Sequence, residues 1–354
     1  MNQHKVSIII INWNGLEDTI ECLESLEKIT YPNYEVVLVD NGSEGRDAKV
    51  LKERFGSYIK LIENDSNYGF AEGNNIGISY ALQNSNPDYI LLLNNDTVVD
   101  AHFLSELVKT AESGEKIGAV QSKILRKDNP NMIDSAGQEI FSDGSARDIG
   151  FNSIDDGRFD SIHEIFGPCA AAALYKSLVL RNVGLLDKRF FILGEDVDLS
   201  WRLRLYGYST LFVPSSLVYH KRGISGGLTP TGSHINIISY NGSKNTLYLL
   251  IKYYPLNLIL KFLPAHCLLL LRAMYYGYRI EHLSNIREDL LVAFRERKKN
   301  AQHGSLIRKV QNTWITQQRL GEVYGHYFRR TLKRALKRSK LLSPEWWRHL
   351  PKSY

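Results

Sequence analysis

Cysteine is scarce in this chain, and so are long apolar runs. Cys22, Cys169 and Cys267 lie far apart, are odd in number and form no Cys-x-x-Cys pair. Such a set excludes a disulfide framework and favours a reducing compartment. The apolar run at residues 6–11 is too short for a signal peptide and lacks a cleavage site. The densest apolar segment, residues 247–271, is broken by Lys252, Pro255, Asn257, Lys261, Pro264 and His266. Its longest uncharged stretch, residues 262–271, has ten residues, whereas a spanning helix needs about 20. A multi-span membrane protein is therefore excluded. The glycine cluster at residues 69–77 has neither the Gly-x-Gly-x-x-Gly pattern nor a P-loop lysine, which excludes those two nucleotide loops.

What is present is ordinary for a folded protein: 354 residues, 44% hydrophobic and 23% charged. The length suits two domains, or one large domain with an appendage. The net charge of +6 hides an asymmetry. Residues 272–354 hold 19 Lys and Arg against 6 Asp and Glu, a net of +13, and residues 1–271 hold 25 against 32, a net of −7.

The first 125 residues alternate apolar runs with helical patterns. Residues 6–11, 34–39, 59–62 and 89–93 are rich in β-branched or aliphatic residues and predict buried strands. Residues 17–26, 48–55 and 71–82 predict the helices between them. Nearly continuous apolar strands separated by helices imply a parallel sheet covered on both faces. In such sheets ligands bind at the carboxyl ends of the strands, where Asn12–Asn14, Asp40–Ser43 and Asn94–Asp96 fall. Residues 126–165, rich in Asp, Asn, Ser and Gly, predict loops and short strands. A strand-to-helix turn at 166–180, a loop at 190–194, a helix from 195 to about 206 and a strand at 209–213 follow.

Five clusters could carry chemistry. In residues 69–77 the glycines allow close backbone approach, and the helix N-terminus favours phosphate. A carboxylate at Asp96, in Asn94-Asn95-Asp96, can hold a divalent cation and through it a diphosphate; a turn or N-cap is the plainer reading. Asp40 can accept a hydrogen bond from a pyrimidine N3–H, or simply cap a turn. In Glu195-Asp196-Val197-Asp198, three carboxylates at a helix start suit the macrodipole. Crowded carboxylates also raise each other's pKa, which suits a general base. His220, after a predicted strand, is either a packed residue or a ligand.

In order and spacing these clusters resemble inverting family 2 glycosyltransferases of the GT-A type, most of all the bacterial rhamnosyltransferases. The residues that carry the likeness are Ile10-Ile11-Asn12-Trp13-Asn14-Gly15, Val39-Asp40-Asn41-Gly42-Ser43, the run from Asn67 to Asn75, Leu93-Asn94-Asn95-Asp96-Thr97, and the run from Phe191 to Asp198. The resemblance covers roughly residues 5–225. It implies a Rossmann-like α/β fold with a mostly parallel sheet and flanking helices. It places Ile11 and Trp13 against the nucleobase, Asp40 on its N3–H, and Gly69, Asn74, Asn94 and Asn95 in the donor pocket. Asn94-Asn95-Asp96 matches the Asp-x-Asp motif with its first carboxylate missing, so Asp96 becomes the main ligand for Mg²⁺ or Mn²⁺, with His220 as a further one. Asp196 matches the catalytic base, with Glu195 beside it. The implied reaction moves a sugar, L-rhamnose from dTDP-L-rhamnose or a UDP-sugar such as galactofuranose or N-acetylglucosamine, to a glycan hydroxyl in cell-surface polysaccharide synthesis.

The chain divides near residue 240 into a catalytic part, 1–240, and a helical, basic part, 241–354. Residues 247–271 suit a helix pair in a bilayer interface or a hairpin buried against the catalytic part. Basic clusters at 295–299 and 329–340, with Trp314, Trp346 and Trp347, suit an anionic leaflet. The expected partners are a nucleotide sugar, a lipid-linked glycan and the inner face of the plasma membrane. Nucleic acid is the competing reading of the basic rear, but no zinc, helix-turn-helix or RNA-recognition motif accompanies it. A catalytically weak nucleotide-sugar-binding protein is the other alternative, kept open by Asn94.

Overall fold

The computed structural model describes residues 3–222, 232–279, 283–300, 304–319 and 323. The basic cluster at 329–340, Trp346 and Trp347 lie outside them. The chain runs β1 (Val6–Asn12), α1 (Leu16–Leu26), β2 (Tyr34–Asp40), α2 (Asp47–Phe55), β3 (Ile59–Glu63), α3 (Gly69–Asn84), β4 (Tyr89–Leu93), β5 (Thr97–Val99), α4 (Phe103–Ala111) and β6 (Ile117–Arg126). Four short strands follow: β7 (Ile133–Ser135), β8 (Gln138–Phe141), β9 (Ala146–Asp148) and β10 (His163–Glu164). Then come β11 (Ala172–Lys176), α5 (Ser177–Val183), α6 (Glu195–Leu205), β12 (Ser209–His220), α7 (Gly232–Tyr253), α8 (Leu256–Lys261), α9 (Leu263–Arg279), α10 (Leu283–Asn300), α11 (Gly304–Trp314) and β13 (Ile315–Thr316).

The main sheet has the order β10-β12-β6-β11-β4-β1-β2-β3, with β5 on β12 and β7 on β6. Strands β3, β2, β1 and β4 are parallel, as their unbroken apolar sequences predict. Strand β11 enters antiparallel between β4 and β6, so the sheet is mixed. Side chains alternate across it: Ile8, Ile10, Val36, Leu38 and Leu91 join one core, and Ile9, Val37, Ile90 and Leu92 the other. Both faces are thus covered, and neither tolerates a register slip, which would exchange the two sets. The β1–β2 register sets Asn12 opposite Asp40 and so brings two polar strand ends together.

Two elements escape the sequence pattern. Helix α4 and strand β6 were not expected, and β12 runs seven residues beyond the expected end at Val213. A register shift between Val213 and Leu217 lies at Pro214, which has no N–H to donate. Beyond it, β12 pairs with β5 as well, and His220 stands opposite Thr97.

The C-terminal helices build a third core. Leu247, Tyr248, Leu250, Tyr253, Tyr254 and Phe262 pack with Val197, Trp201 and Leu205 of α6. Trp201 stacks on Tyr253, with ring centroids 4.9 Å apart and planes at 5°. Residues 247–262 therefore turn one face into the protein, as a buried hairpin does. Lys252 does not interrupt that face: it is 2% exposed and paired with Asp198. Trp314 packs edge-on to Phe166 and under the Arg204 guanidinium, 4.3 Å away, rather than standing free for a headgroup layer. Helix α7 runs unbroken across residue 240.

Candidate active site

The polar ends of β1, β2 and β4 are fastened to one another through α1. Asn12, fully buried, donates from Nδ2 to Asp40 Oδ2 at 2.7 Å and Ser43 Oγ at 3.0 Å. Its Oδ1 accepts from Thr19 Oγ1 at 2.8 Å, and Thr19 in turn accepts from Asn95 Nδ2 at 2.9 Å. Asn95 thus braces the scaffold. Ser43 N donates to Asp40 Oδ1 at 3.0 Å, so each Asp40 oxygen holds one protein donor and keeps a second lone pair. Ile11 and Trp13, both half-buried, flank this point.

Gly69 opens α3 at φ 81°, and a Cβ there would lie 2.5 Å from the Phe191 ring. The close approach lets Phe70 N and Ala71 N donate to Phe191 O at 2.6 and 3.2 Å. Asn74 is buried and returns its Nδ2 to Phe70 O within its own helix. Asn41, not singled out from the sequence, organises this corner: its Nδ2 donates to Asn67 Oδ1 and Gly69 O.

At the end of β4, Asp96 Oδ1 lies 3.0 Å from His220 Nε2, and Asn94 Nδ2 lies 3.3 Å from the same nitrogen. His220 Nδ1 faces Asp134 Oδ2 at 2.8 Å, and Asp134 Oδ1 faces Arg222 Nε at 2.8 Å. Arg222 also pairs with Asp148. Burial opposes a charge on His220, but the bonds to Asp134 and Asp96 outweigh it and push its pKa up to about 9.

Asp196 stands at the start of α6. Its Oδ2 accepts from Gln138 Nε2 at 2.8 Å and Ala170 N at 3.4 Å, and its Oδ1 accepts from Val197 N at 2.8 Å. The two clusters meet at the entry to β11, where Ala171 O accepts from Asn94 N at 3.0 Å. The three neighbouring carboxylates have separate environments. Burial raises Glu195, and the Asp196 charge adds to it. Burial also raises Asp196, and Asp148 adds to it, but its donors hold it below Glu195. The two form one coupled acidic pair, in which the donors around Asp196 favour its ionised form. Glu195 Oε2 is buried without a hydrogen bond. Asp198 goes the other way. Burial would raise it, but Lys252, Arg202 and the Tyr253 hydroxyl bring it down to about 2. Its part is structural.

The loop before α6 is strained. Phe191 and Leu193 have φ of 57° and 73°, unfavourable for residues with a Cβ. One buried side chain, Asn245 of α7, holds this loop by donating to the carbonyls of Phe190, Ile192 and Leu193 at 2.9, 3.0 and 2.6 Å. The C-terminal helices thus shape the segment that leads into Glu195 and Asp196.

Asp134, Gln138, Asp148 and Asn245 were not picked out from the sequence. The available signal was a carboxylate and an amide inside the apolar alternation Ile133-Asp134-Ser135-Ala136 and Gln138-Glu139-Ile140-Phe141.

A mixed sheet with flanking helices, with its acidic and amide side chains gathered at the strand ends, is the GT-A architecture of nucleotide-sugar transferases. Residues 7–178 match the family model described as glycosyl transferase family 2. The chain is 24% identical over 215 residues to the poly-β-1,6-N-acetyl-D-glucosamine synthase of Staphylococcus epidermidis, covering 60% of this chain and 49% of that one. It is 28% identical over 232 residues to the O-antigen biosynthesis protein RfbC of Myxococcus xanthus, covering 62% and 18%. The chain thus spans about half, or less, of the length of these curated relatives. Among solved structures, GalNAc-T7 with UDP, GalNAc and Mn²⁺ superposes with a TM-score of 0.60 at 17% identity, over 86% of this chain and 59% of that one.

Proposed function

We propose that this protein is an inverting hexosyltransferase that moves a sugar from a nucleotide-sugar donor to a hydroxyl of a glycan in cell-surface polysaccharide synthesis. The observation that carries this reading is Asp196: a buried carboxylate at the start of α6, held by three donors and set beside a second carboxylate, Glu195. In the transfer step, Asp196 accepts the proton of the acceptor hydroxyl while that oxygen bonds to the anomeric carbon. The bond from that carbon to the diphosphate oxygen breaks, and one displacement inverts the centre. Ile11, Trp13 and Asp40 receive the base, and Gly69, Asn74, Asn94 and Asn95 bound the donor pocket.

Asp96, His220 and the Asn94 amide oxygen fit a divalent cation. Asn94 Oδ1 is buried and has no hydrogen-bond partner, and His220 is oriented by a carboxylate on its other nitrogen, as metal-bound imidazoles are, and would release its Nε2 proton to ligate. Among the described residues no group of three or more His, Cys, Asp or Glu forms a metal site. A cation held by Asp96, His220 and the Asn94 oxygen alone would keep positions for phosphate oxygens and water, the usual mode of Mg²⁺ and one open to Mn²⁺. When bound, the cation supplies positive charge to the departing diphosphate. Asp96→Ala is expected to weaken nucleotide-sugar binding in Mg²⁺ or Mn²⁺ by at least about tenfold, measured by calorimetric titration. Equal affinities with and without chelator would remove the metal from the reading.

The base also sets a pH dependence. A raised pKa means that Asp196 takes up its proton earlier as pH falls, so kcat/KM is full at high pH and lost through an acidic limb. That limb is expected above the ordinary aspartate value of ~4. Gln138→Leu removes a donor to the ionised form and is expected to move the limb higher still. A profile whose limb stays at the ordinary value in both proteins contradicts the assignment.

We propose dTDP-L-rhamnose as donor, from the Asn12-Trp13-Asn14-Gly15 and Gly69–Asn75 wording. UDP-N-acetylglucosamine is the second reading, favoured by the name of the staphylococcal relative. A panel of nucleotide sugars, scored by hydrolysis and by protection against heat, decides between them. The acceptor we propose is a lipid-linked glycan, with a catalytic part at 1–240 and a helical part at 241–354 working at the inner face of the plasma membrane.

A further inference from the structure

Seventeen large hydrophobic side chains are exposed among the described residues, and ten of them fall between Leu256 and Phe294. They are not scattered. On α9, Leu263, Leu268, Leu271, Met274, Tyr275 and Tyr278 are 46%, 47%, 61%, 47%, 48% and 72% exposed. At about 100° per residue they share an arc of about 140°. Ala265, Leu269 and Ala273, on the opposite side, are buried against the protein. The exposed arc holds no Asp, Glu, Lys or Arg. Leu256 and Leu260 extend it onto α8, at 60% and 58% exposure. Beside it, Met274, Leu290, Leu291 and Phe294 line an apolar groove between α9 and α10, with Arg287 on its wall. A helix that is apolar on both sides while only one side is covered needs a second apolar environment.

We propose that α8, α9 and the adjoining edge of α10 lie flat in the interface of an anionic bilayer, with this arc turned into the acyl boundary. This deepens the membrane part of the reading above, and the test below does not depend on the sugar transferred. Three features select lipid as the occupant. Helix α9 has 17 residues, about 25 Å, and among the described residues no helix is long and apolar enough to cross a membrane; this favours lying in the surface. Tyr275 and Tyr278 bring polar tips to an apolar face, a composition suited to the headgroup boundary. The charge around the arc is positive on balance: Arg287, Arg295, Lys298 and Lys299 are exposed on α10 against Glu288, with Lys299 near Glu296, within a segment of net charge +13. Anionic headgroups complement that charge, whereas a second copy docked on the same face would bring two such segments together.

The test is flotation of the full chain with vesicles of phosphatidylcholine containing 30% phosphatidylglycerol, and with pure phosphatidylcholine vesicles, at low and high salt. The protein is expected to float with the anionic vesicles at low salt. A triple variant, Leu260→Gln, Leu271→Gln and Met274→Gln, is expected to lose at least tenfold in partitioning while keeping its melting temperature and nucleotide-sugar binding, since all three side chains are exposed. The proposal is overturned if the wild type stays in the aqueous fraction, or if the variant floats equally well. It is also overturned if sedimentation shows a dimer that the variant abolishes with flotation unchanged. Nucleotide-sugar turnover without vesicles reports separately on the transferase reading.

Discussion

Asp196→Asn is expected to lower turnover by roughly a thousandfold, the scale on which a positioned base acts, with nucleotide-sugar affinity near wild type. The substitution keeps the volume and lets the new amide oxygen accept from Gln138 and Ala170. It takes away the basic oxygen and sets an amide N–H₂ against Val197 N–H, a modest local cost. The acceptor hydroxyl then has no group to receive its proton as it attacks. The discriminating pair of measurements is single-turnover transfer and calorimetric titration of the donor. A variant keeping more than a tenth of wild-type turnover would transfer the role elsewhere, first to Glu195. That residue is the weaker candidate, because burial and the Asp196 charge keep its proton on it.

Lys252→Met is expected to destabilise the fold by about 3 kcal/mol, the low end of the cost of breaking a buried ion pair, because Asp198 keeps Arg202 and Tyr253. Asp198 is fully buried and holds Lys252 Nζ, Arg202 Nε at 2.9 Å and Tyr253 Oη at 2.9 Å. It therefore ties α6, the helix that begins with Glu195 and Asp196, to α7. The pH sign follows from its lowered pKa. Its contribution is fully present above the unfolded value of ~4 and is lost as pH falls towards about 2. A double variant, Asp198→Asn with Lys252→Met, is expected to recover none of the loss, since it strips Arg202 of its carboxylate. Urea midpoints of the three proteins measure this; a wild-type midpoint for Lys252→Met would show that the pair holds nothing together. Asn245 extends the same dependence to the chemistry, because it fixes the strained loop that delivers Asp196.

Much of the catalytic part was legible because its signals are local. The strands β1 to β4 announce themselves by apolar runs, and each ends in a polar cluster that the parallel arrangement gathers at one edge. The motifs at Asp40, Asn94–Asp96 and Glu195–Asp196 were readable in order. Strand β6 and helix α4 carry no signal that the local pattern resolves, and within 126–165 the expected short strands form, but three- and four-residue strands have too little periodicity to fix their bounds. Asp134, Gln138 and Asp148 were missed with them. Their importance lies in what they touch, His220, Asp196 and Arg222, and no spacing encodes that.

The sequence by itself determined the sheet-forming half, the family likeness, the chemical types at each strand end, and the split between an acidic front and a basic rear. Only the tertiary structure decided how neighbouring residues divide their tasks. Glu195, Asp196 and Asp198 are alike in sequence. Burial raises Glu195 and Asp196, the donors on Asp196 favour its ionised form, and Asp198 anchors a salt bridge, because desolvation and the partner at each oxygen differ. The same holds for residues 247–278, dense in apolar residues but interrupted by Lys252, Lys261 and Arg272. Packing on α6 covers one face and holds Lys252 inside the protein, while the arc of α9 from Leu263 to Tyr278 is left uncovered. Burial and charge pairing are set by elements distant in the chain, so they are fixed only when those elements meet.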